Sequence, residues 1–187
     1  MTNILLVSED YVKSNSNIDD NLWSKMLVPA IREAQEMGLQ PILGTSLYKK
    51  ILDMVETGSV KETANSAYKN LLDVYVQPFL LYQVMVNVIP IIGTKLSNMG
   101  VMQNDDEKSH NVPKSERDNL MEYYQYRADF YTKRMQDYLT KHSTDYPELS
   151  DNDIANMSAN LNSSHSCSIW LGGVRGYGYN DDGYVGK

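Results

Sequence analysis

The side chains best suited to chemistry are scattered along the chain and form no complete reactive set. His165 and Cys167 are two residues apart, a spacing that would place both side chains on one face of a strand. A zinc site needs three or four protein ligands, and the sequence contains no second pair of this kind. The pattern therefore favours two separate side chains over a metal site.

Carboxylates also occur in two close pairs. Asp151 and Asp153 are spaced like the first ligands of a calcium loop, but the glycine and the closing glutamate of such a loop are missing. We expect Asp151 to cap a short turn instead. Glu33 and Glu36 could act as an acid and a base, yet the apolar residues around them face the other way, which predicts a solvated helix face.

Glycine and histidine motifs are equally incomplete. The sequence has no phosphate-binding Walker loop, and Gly173, Gly176 and Gly178 lack the order and the strand-to-helix context of a dinucleotide fingerprint. His110 is expected in a surface loop and His142 at a helix end, where histidine commonly acts as a C-terminal cap. Since no set of residues predicts an enzyme mechanism, we expect a protein that is not an enzyme and that uses no cofactor or metal.

The composition indicates contact surface more than catalysis. The 187 residues suit one domain, or one domain with a tail, and their single cysteine excludes an internal disulfide. A net charge of −7 without any basic cluster argues against tight wrapping of nucleic acid. The 14 tyrosines against 2 phenylalanines suit protein contact surfaces, although tyrosine also fills ordinary helix faces.

The chain is organised around residues 19–55, which predict a helix, a tight connection and a second helix. The expected apolar stripe of the first helix is Leu22, Trp23, Met26, Leu27, Ala30, Ile31, Ala34 and Met37. The expected boundaries are Asp19 or Asp20 as the first cap, Gly38 as the first end, Thr45 as the second cap and Gly58 as the second end. Pro29 predicts a kink or a late start of the first helix.

Two further helices are predicted after this hairpin. Residues 63–89 form one that is apolar on most sides, which places it at the centre of a bundle or an assembly. Its most apolar window, residues 79–92, is too short for a bilayer, which takes about 20 residues. Residues 97–112 predict a surface loop. A long helix then runs to about His142, with Ser115 and Asp118 as a reciprocal cap.

This long helix carries two stripes of side chains. The first consists of Leu120, Tyr124, Arg127, Tyr131, Met135 and Tyr138. The second consists of Tyr123, Tyr126 and Phe130. Two aromatic stripes on one helix predict two buried faces, one turned inward and one turned toward a neighbouring subunit.

The predicted fold class is mainly α, a small helical bundle of about four helices, one of them long, with extended N- and C-terminal segments. Residues 1–18 form an N-terminal extended or docking segment without the features of a signal peptide, and residues 19–148 form the helical domain. Residues 149–187 form a tail rich in Asn, Ser, Gly and Tyr. Such a tail cannot bury enough apolar surface to fold alone, but its aromatic residues suit ordering against a partner.

The hinge of the first hairpin carries a resemblance to a known family. PAIREAQ at residues 29–35, followed by LQPILGTSLY at residues 39–48, resembles the head-to-tail connector proteins (adaptor, or head completion, proteins) of tailed bacteriophages. The hinge is most similar to versions from phages of Bacteroidetes, including the crAss-like group. The order of parts is also similar over residues 18–148, ending in Tyr146, Pro147 and Glu148. This motif is a packing signature and not a catalytic one.

The resemblance implies a structural virion protein, made in the host cytoplasm, whose copies form a ring of typically twelve subunits at the head-tail interface. Such a ring docks under the portal protein and offers a platform for the tail or the next ring protein. DNA passes through its lumen during packaging and ejection without sequence-specific binding, and no membrane is involved.

Within that family, the termini of one subunit often reach a neighbouring subunit or ring. The candidate partner contacts in the tail are Trp170, Tyr177, Tyr179 and Tyr184. Two other classes stay open at this point. One is a soluble helical binding or regulatory protein that acts as a small oligomer, and the other is an enzyme whose site is scattered along the sequence.

Overall fold

Four long helical stretches and one short helix make up the body of this computed structural model, which describes residues 4–92, 94–97, 100–103, 113–150 and 156–161. The α-helices are α1 (Glu9–Asn15), α2 (Ser24–Glu33), α3 (Gln40–Leu43), α4 (Thr45–Thr57), α5 (Ser66–Leu71), α6 (Gln77–Val88) and α7 (Lys114–Lys141). A π-helical segment, Ala34–Leu39, joins α2 to α3, and another, Leu72–Val76, joins α5 to α6. The predicted class, a mainly α small bundle with one long helix, is confirmed.

Helix α6 is the centre of the bundle, as its sequence predicts. It packs against α2 on one side and α7 on the other, and Leu80, Val84 and Val88 along it are fully buried. By length and composition alone, the stretch Thr63–Val88 would also be long enough to cross a membrane, and half of its most apolar window is buried inside the protein. Core helices share that length and composition.

The first helix begins later than predicted. Helix α2 starts at Ser24, and Asp19 closes a local turn instead, because its Oδ1 accepts a hydrogen bond of 2.7 Å from the amide of Asn21. Trp23 precedes the helix and is exposed, so it does not belong to the apolar stripe. Pro29 lies inside α2 as predicted.

Gly38 does not end the first helix, contrary to the prediction. It lies in the π-helical segment Ala34–Leu39, from which the chain continues as a helix to Leu43. A π turn holds more residues than an α turn, so the register changes and Met37 points to solvent. Gly38 instead allows a close approach to α6, since a Cβ there would lie 3.2 Å from Gln83 Cγ and 3.2 Å from Phe79 Cζ.

The break between α3 and α4 falls at Gly44. Its φ of 76° and ψ of 162° fall in a region that essentially only glycine adopts. Thr45 is therefore the first residue of α4 and not its cap. Gly58 ends α4 in the left-handed conformation, with φ of 73°, so that boundary is confirmed.

Part of the predicted tail is ordered against this break. Residues 156–161, called the strap below, run past Gly44, and the Thr45 amide donates a 2.8 Å hydrogen bond to the carbonyl oxygen of Met157. In return, the Met157 amide donates to Thr45 Oγ1 over 2.9 Å. The Asn160 amide donates to the Pro41 carbonyl over 3.0 Å. The strap contributes main-chain atoms to these hydrogen bonds. Because such bonds do not depend on its side chains, the polar composition of the strap did not predict the contact.

The N-terminal segment docks on a buried amide and then forms a helix that was not predicted. The Leu6 amide donates to Gln35 Oε1 over 2.7 Å, and Gln35 Nε2 donates to the Ile4 carbonyl over 3.2 Å. Ser8 caps α1 by accepting a 3.1 Å hydrogen bond from the Tyr11 amide. Residues 1–18 are thus not extended throughout.

The predicted loop after the central helix contains a β-hairpin. Strands β1 (Thr94–Ser97) and β2 (Gly100–Gln103) pair antiparallel, with Ser97 opposite Gly100. A two-residue connection between short segments with β-branched residues is a hairpin pattern, which the polar composition of the surrounding residues obscured. Residues 104–112 of the predicted loop lie outside the described residues.

The Gly44 break gives a direct test of the strap contact. We expect Gly44→Ala to lower the free energy of unfolding by about 2–4 kcal/mol, since it adds backbone strain and loses strap hydrogen bonds. A Cβ there would lie 2.8 Å from the Ala159 amide nitrogen. Urea titration measures the loss, and hydrogen exchange at Met157 and Asn160 should accelerate.

Gly58→Ala is the matched control for backbone strain. Its φ is also positive, but an added Cβ there would have no atom within 4 Å. We expect a loss of about 1–2 kcal/mol with unchanged exchange in the strap. Equal losses in the two variants would contradict a stabilising contact between the strap and the break.

Candidate functional site

The long helix α7 presents the surface most suited to a partner. It runs from Lys114 to Lys141 as predicted, but its N-cap is Pro113, with no side-chain hydrogen bond at the cap. Ser115 lies inside the first turn, so the predicted reciprocal cap with Asp118 is wrong. Pro113 instead begins the helix through its main chain, because its carbonyl oxygen accepts hydrogen bonds from the amides of Glu116 and Arg117, each over 3.1 Å.

The inward face of α7 packs on the central helix α6 and on the π-helical segment Leu72–Val76. Buried side chains recur along it at helical spacing, namely Tyr124, Ala128, Met135 and Leu139. Tyr131 stacks on Tyr82 with ring centres 5.4 Å apart, and Tyr138 stacks on Tyr75 at 4.2 Å. The first predicted stripe is thus inward from Tyr124 to Tyr138, whereas Leu120 at its start is exposed.

A second tyrosine cluster holds the turn after α7 against α5. Tyr146 is fully buried, and its hydroxyl donates a 2.9 Å hydrogen bond to the Ala67 carbonyl. The Tyr68 ring meets the Tyr146 ring edge-on at 5.3 Å, and the Tyr68 hydroxyl donates to Glu148 over 2.9 Å. Burial, together with the Glu148 carboxylate, raises the pKa of Tyr68 to about 12.

The outward face of α7 carries large aromatic side chains that nothing in the described structure covers. Tyr123, Tyr126 and Phe130, called the aromatic ridge below, expose 49%, 75% and 58% of their surface. The guanidinium of Arg127 lies 3.6 Å from the centre of the Tyr123 ring, a cation–π contact that orients that ring. The second predicted stripe therefore exists, and it is solvent-exposed in a single chain.

Two hollows of opposite charge flank the aromatic ridge. The acidic hollow, of about 370 Å³, is lined by Val86, Asp118, Met121, Glu122, Gln125, Tyr126 and Asp129. The basic hollow, of about 640 Å³, is lined by Tyr75, Phe130, Lys133, Arg134, Asp137, Tyr138, Lys141 and His142. Three carboxylates and no cation line the first, whereas three cations, a histidine and one carboxylate line the second.

His142 closes the helix as predicted and forms one wall of the basic hollow. Its Nδ1 lies 2.9 Å from the Tyr138 carbonyl oxygen, and its ring stacks on Tyr138 with centres 4.3 Å apart. Arg134 extends the same group, since its guanidinium lies 5.0 Å from the centre of the Tyr75 ring. The basic hollow therefore combines cations with an aromatic floor.

A third hollow, of about 460 Å³, lies beside the docked N-terminal segment. Its lining mixes both signs of charge, including Arg32, Glu36, Lys49 and Asp53. Glu33 and Glu36 are both exposed, which confirms the predicted solvated face. This mixture suits neither an anion nor a metal ion.

Several candidate residues lie outside the described part of the chain. They are His110, Asp151, Asp153, His165, Cys167 and the glycines at 173, 176 and 178, together with the partner contacts Trp170, Tyr177, Tyr179 and Tyr184. Among the residues that are described, no group of three or more His, Cys, Asp and Glu side chains could hold a metal ion.

Sequence reasoning missed two glutamines that organise the surroundings of the site. Gln35 anchors the N-terminal segment, and Gln136 on α7 donates a 2.8 Å hydrogen bond from Nε2 to the Asn160 carbonyl of the strap. Both side chains are buried. A glutamine on the apolar face of a predicted helix is the sequence feature that could have identified them. Such a side chain is buried, and a buried amide needs hydrogen-bond partners.

The raised pKa of Tyr68 predicts a change of stability at high pH. A folded-state pKa of about 12, above the ordinary value of 10.0, means that the neutral hydroxyl stabilises the fold below pH 10. That contribution is lost as the pH rises through 12. We expect Tyr68→Phe to be less stable than the native protein at pH 8, with the difference shrinking above pH 10.

Urea titrations between pH 8 and pH 12 measure this difference. Tyr126→Phe is the control, because the Tyr126 hydroxyl makes no hydrogen bond within the described residues. Its stability should follow that of the native protein at every pH. A constant gap between native protein and Tyr68→Phe across the whole range would contradict the assignment.

Comparison with known proteins identifies a family but no characterised relative. Residues 39–158 match DUF6712, a family of unknown function. No curated protein gives a significant match, and no solved structure does. The matched range includes the Gly44 break, the whole of α7 and the first residues of the strap. Because it spans more than half of the 187 residues, the chain belongs to the DUF6712 family.

Proposed function

We propose that this chain is a structural subunit of the connector between head and tail of a tailed bacteriophage. Its copies form a ring, typically of twelve, that sits between the portal protein and the tail or next ring protein in the virion. Two things support the proposal: the resemblance of residues 29–35 and 39–48 to such connectors, and the exposed aromatic ridge on α7.

The aromatic ridge is the observation that carries the proposal. Tyr123, Tyr126 and Phe130 lie within about two helical turns and expose between 49% and 75% of their surfaces to water. Aromatic side chains on a rigid element are typical of the centre of protein–protein interfaces, where each anchor contributes strongly to binding. The tyrosine stacks on the opposite face of α7 supply that rigidity.

The net charge supports the role of a conduit. DNA that moves through a ring must not adhere to its wall, and a chain of net charge −7 repels phosphate groups. The cations of the basic hollow are confined to one end of α7. The proposed path of the DNA is thus through the ring without sequence-specific contacts.

The first test of the function is assembly with the portal ring encoded by the same genome. We expect the purified protein to form rings, or to decorate one end of the portal ring, in negative-stain electron microscopy. The double variant Tyr126→Ser/Phe130→Ser should keep the native circular dichroism and lose this assembly, because it removes the apolar anchors.

Met37→Ser is the matched control, since Met37 is also exposed and apolar but lies outside α7. It should assemble like the native protein. A native protein that remains a small particle and ignores the portal would overturn the connector proposal and favour a small-oligomer binding protein. If the double variant assembles, the connector proposal stands, but the aromatic ridge is not part of the assembly contact.

The tail gives a second test, and the strap determines where to cut. Truncation after Leu161 keeps the strap hydrogen bonds and removes the four candidate contacts Trp170, Tyr177, Tyr179 and Tyr184. We expect the melting temperature of the truncated protein to equal that of the native protein. We also expect the truncated protein to fail to incorporate into particles. Replacing only the four aromatic residues by serine is the companion variant, and normal incorporation of both proteins would refute the role of the tail.

A further inference from the structure

The charges that line the outward face of α7 are separated by sign. Asp118, Glu122 and Asp129 line the acidic hollow, next to Val86 of α6. Lys133 and Lys141 line the basic hollow near the other end of α7. From residue 118 to residue 141 a helix rises by about 35 Å. Because Tyr126 lines the acidic hollow and Phe130 lines the basic hollow, the two hollows and the ridge form one strip along α7.

Among the residues that the structure describes, none of these charges forms an ion pair. The ion pair found there joins Lys69 to Asp73, which lie outside α7. Asp129 accepts a 2.8 Å hydrogen bond from Gln125 Nε2, a neutral donor on the same helix. Arg134 of the basic hollow faces the rings of Tyr75 and Tyr131. Asp137 also lines this hollow, but within the described part of the chain no carboxylate lies at ion-pair distance from its cations.

We propose that the surface which covers this strip is a second copy of the same chain, with the acidic hollow of one copy against the basic hollow of the next. The aromatic ridge contributes to both sides of this contact, because Tyr126 lines the acidic hollow and Phe130 lines the basic hollow. This inference rests on the proposed function, because it names the partner that the aromatic ridge takes when the ring assembles.

Charge complementarity is the reason for choosing a second copy as the occupant. The strip has an excess of negative charge at one end and of positive charge at the other. Its acidic end therefore matches the basic end of one neighbouring copy, and its basic end matches the acidic end of another. Contacts of this kind fix register and exclude wrong partners, while the apolar ridge supplies most of the affinity.

The arrangement also explains how more than two copies can join. A copy whose acidic hollow is occupied still presents its basic hollow to another copy. Such a head-to-tail contact is heterologous, and it closes into a ring when the rotation between neighbours divides the circle evenly. The contact therefore needs no second, unrelated surface for ring closure.

A charge-reversal experiment with rescue by mixing tests the inference. One variant, Lys133→Glu/Lys141→Glu, makes both hollows negative, and the other, Asp118→Lys/Glu122→Lys, makes both positive. We expect each variant alone to associate at least about tenfold more weakly than the native protein in sedimentation velocity, with and without the portal ring. An equimolar mixture should recover assembly, because each negative copy now alternates with a positive one.

Two controls accompany the mixture. Lys25→Glu/Lys50→Glu changes the charge by the same amount on exposed residues outside α7 and should assemble like the native protein. Raising the salt from about 0.05 M to 0.5 M should weaken native assembly, since it screens charge pairs at the contact. A misfolded variant would not be rescued by mixing, which separates loss of fold from loss of charge matching.

The outcomes distinguish the inference from the function on which it rests. If the native protein assembles and either charge variant alone assembles equally well, the α7 contact is overturned while the connector proposal stands. Failure of the mixture to recover assembly also overturns the charge matching. If the native protein neither associates with itself nor binds the portal ring, the proposed function fails first.

Discussion

Tyrosine hydroxyls that bind partly buried polar groups hold α7 in place, and the outward surface depends on that placement. The Tyr146 hydroxyl reaches the Ala67 carbonyl of α5 over 2.9 Å, and the Tyr124 hydroxyl reaches Asn17 Oδ1 over 2.7 Å. Phenylalanine would bury the same rings but leave the carbonyl without its partner, a cost of about 1–3 kcal/mol for a buried group. The excess of tyrosine therefore has a structural reason inside the fold.

The strap and the Gly44 break connect the same helix to the first hairpin. Gln136 of α7 binds the Asn160 carbonyl, while the strap amides and carbonyls bind Pro41 and Thr45. The strap therefore couples α7 physically to the hinge between α3 and α4, since the Gln136 side chain binds one side of it and Pro41 and Thr45 bind the other. This coupling requires Gly44, because any side chain at that position would occupy the path of the strap.

Hydrophobic periodicity predicted the parts of the fold whose packing follows the regular helical repeat. It located the central helix and the extent of α7, because burial at three- and four-residue steps leaves a clear pattern. The end of α4 was predicted from Gly58 itself, since glycine readily adopts the left-handed conformation. It failed at residues 34–39, where a π turn shifts the register and leaves Met37 outside. The strap was missed for a different reason, since main-chain hydrogen bonds do not depend on side-chain type.

The sequence predicted the aromatic stripe of the candidate surface, but it did not predict the two charged hollows beside that stripe. Spacing alone places Tyr123, Tyr126 and Phe130 on one face, whereas the hollows exist only because Val86 of α6 and Tyr75 approach α7 from either side. The inner tyrosines 124 and 146 have hydroxyl partners, but within the described residues Tyr123 and Tyr126 have none. The outward pair therefore leaves both its rings and its hydroxyls available to a partner, whereas Tyr124 on the inward face uses both inside the fold.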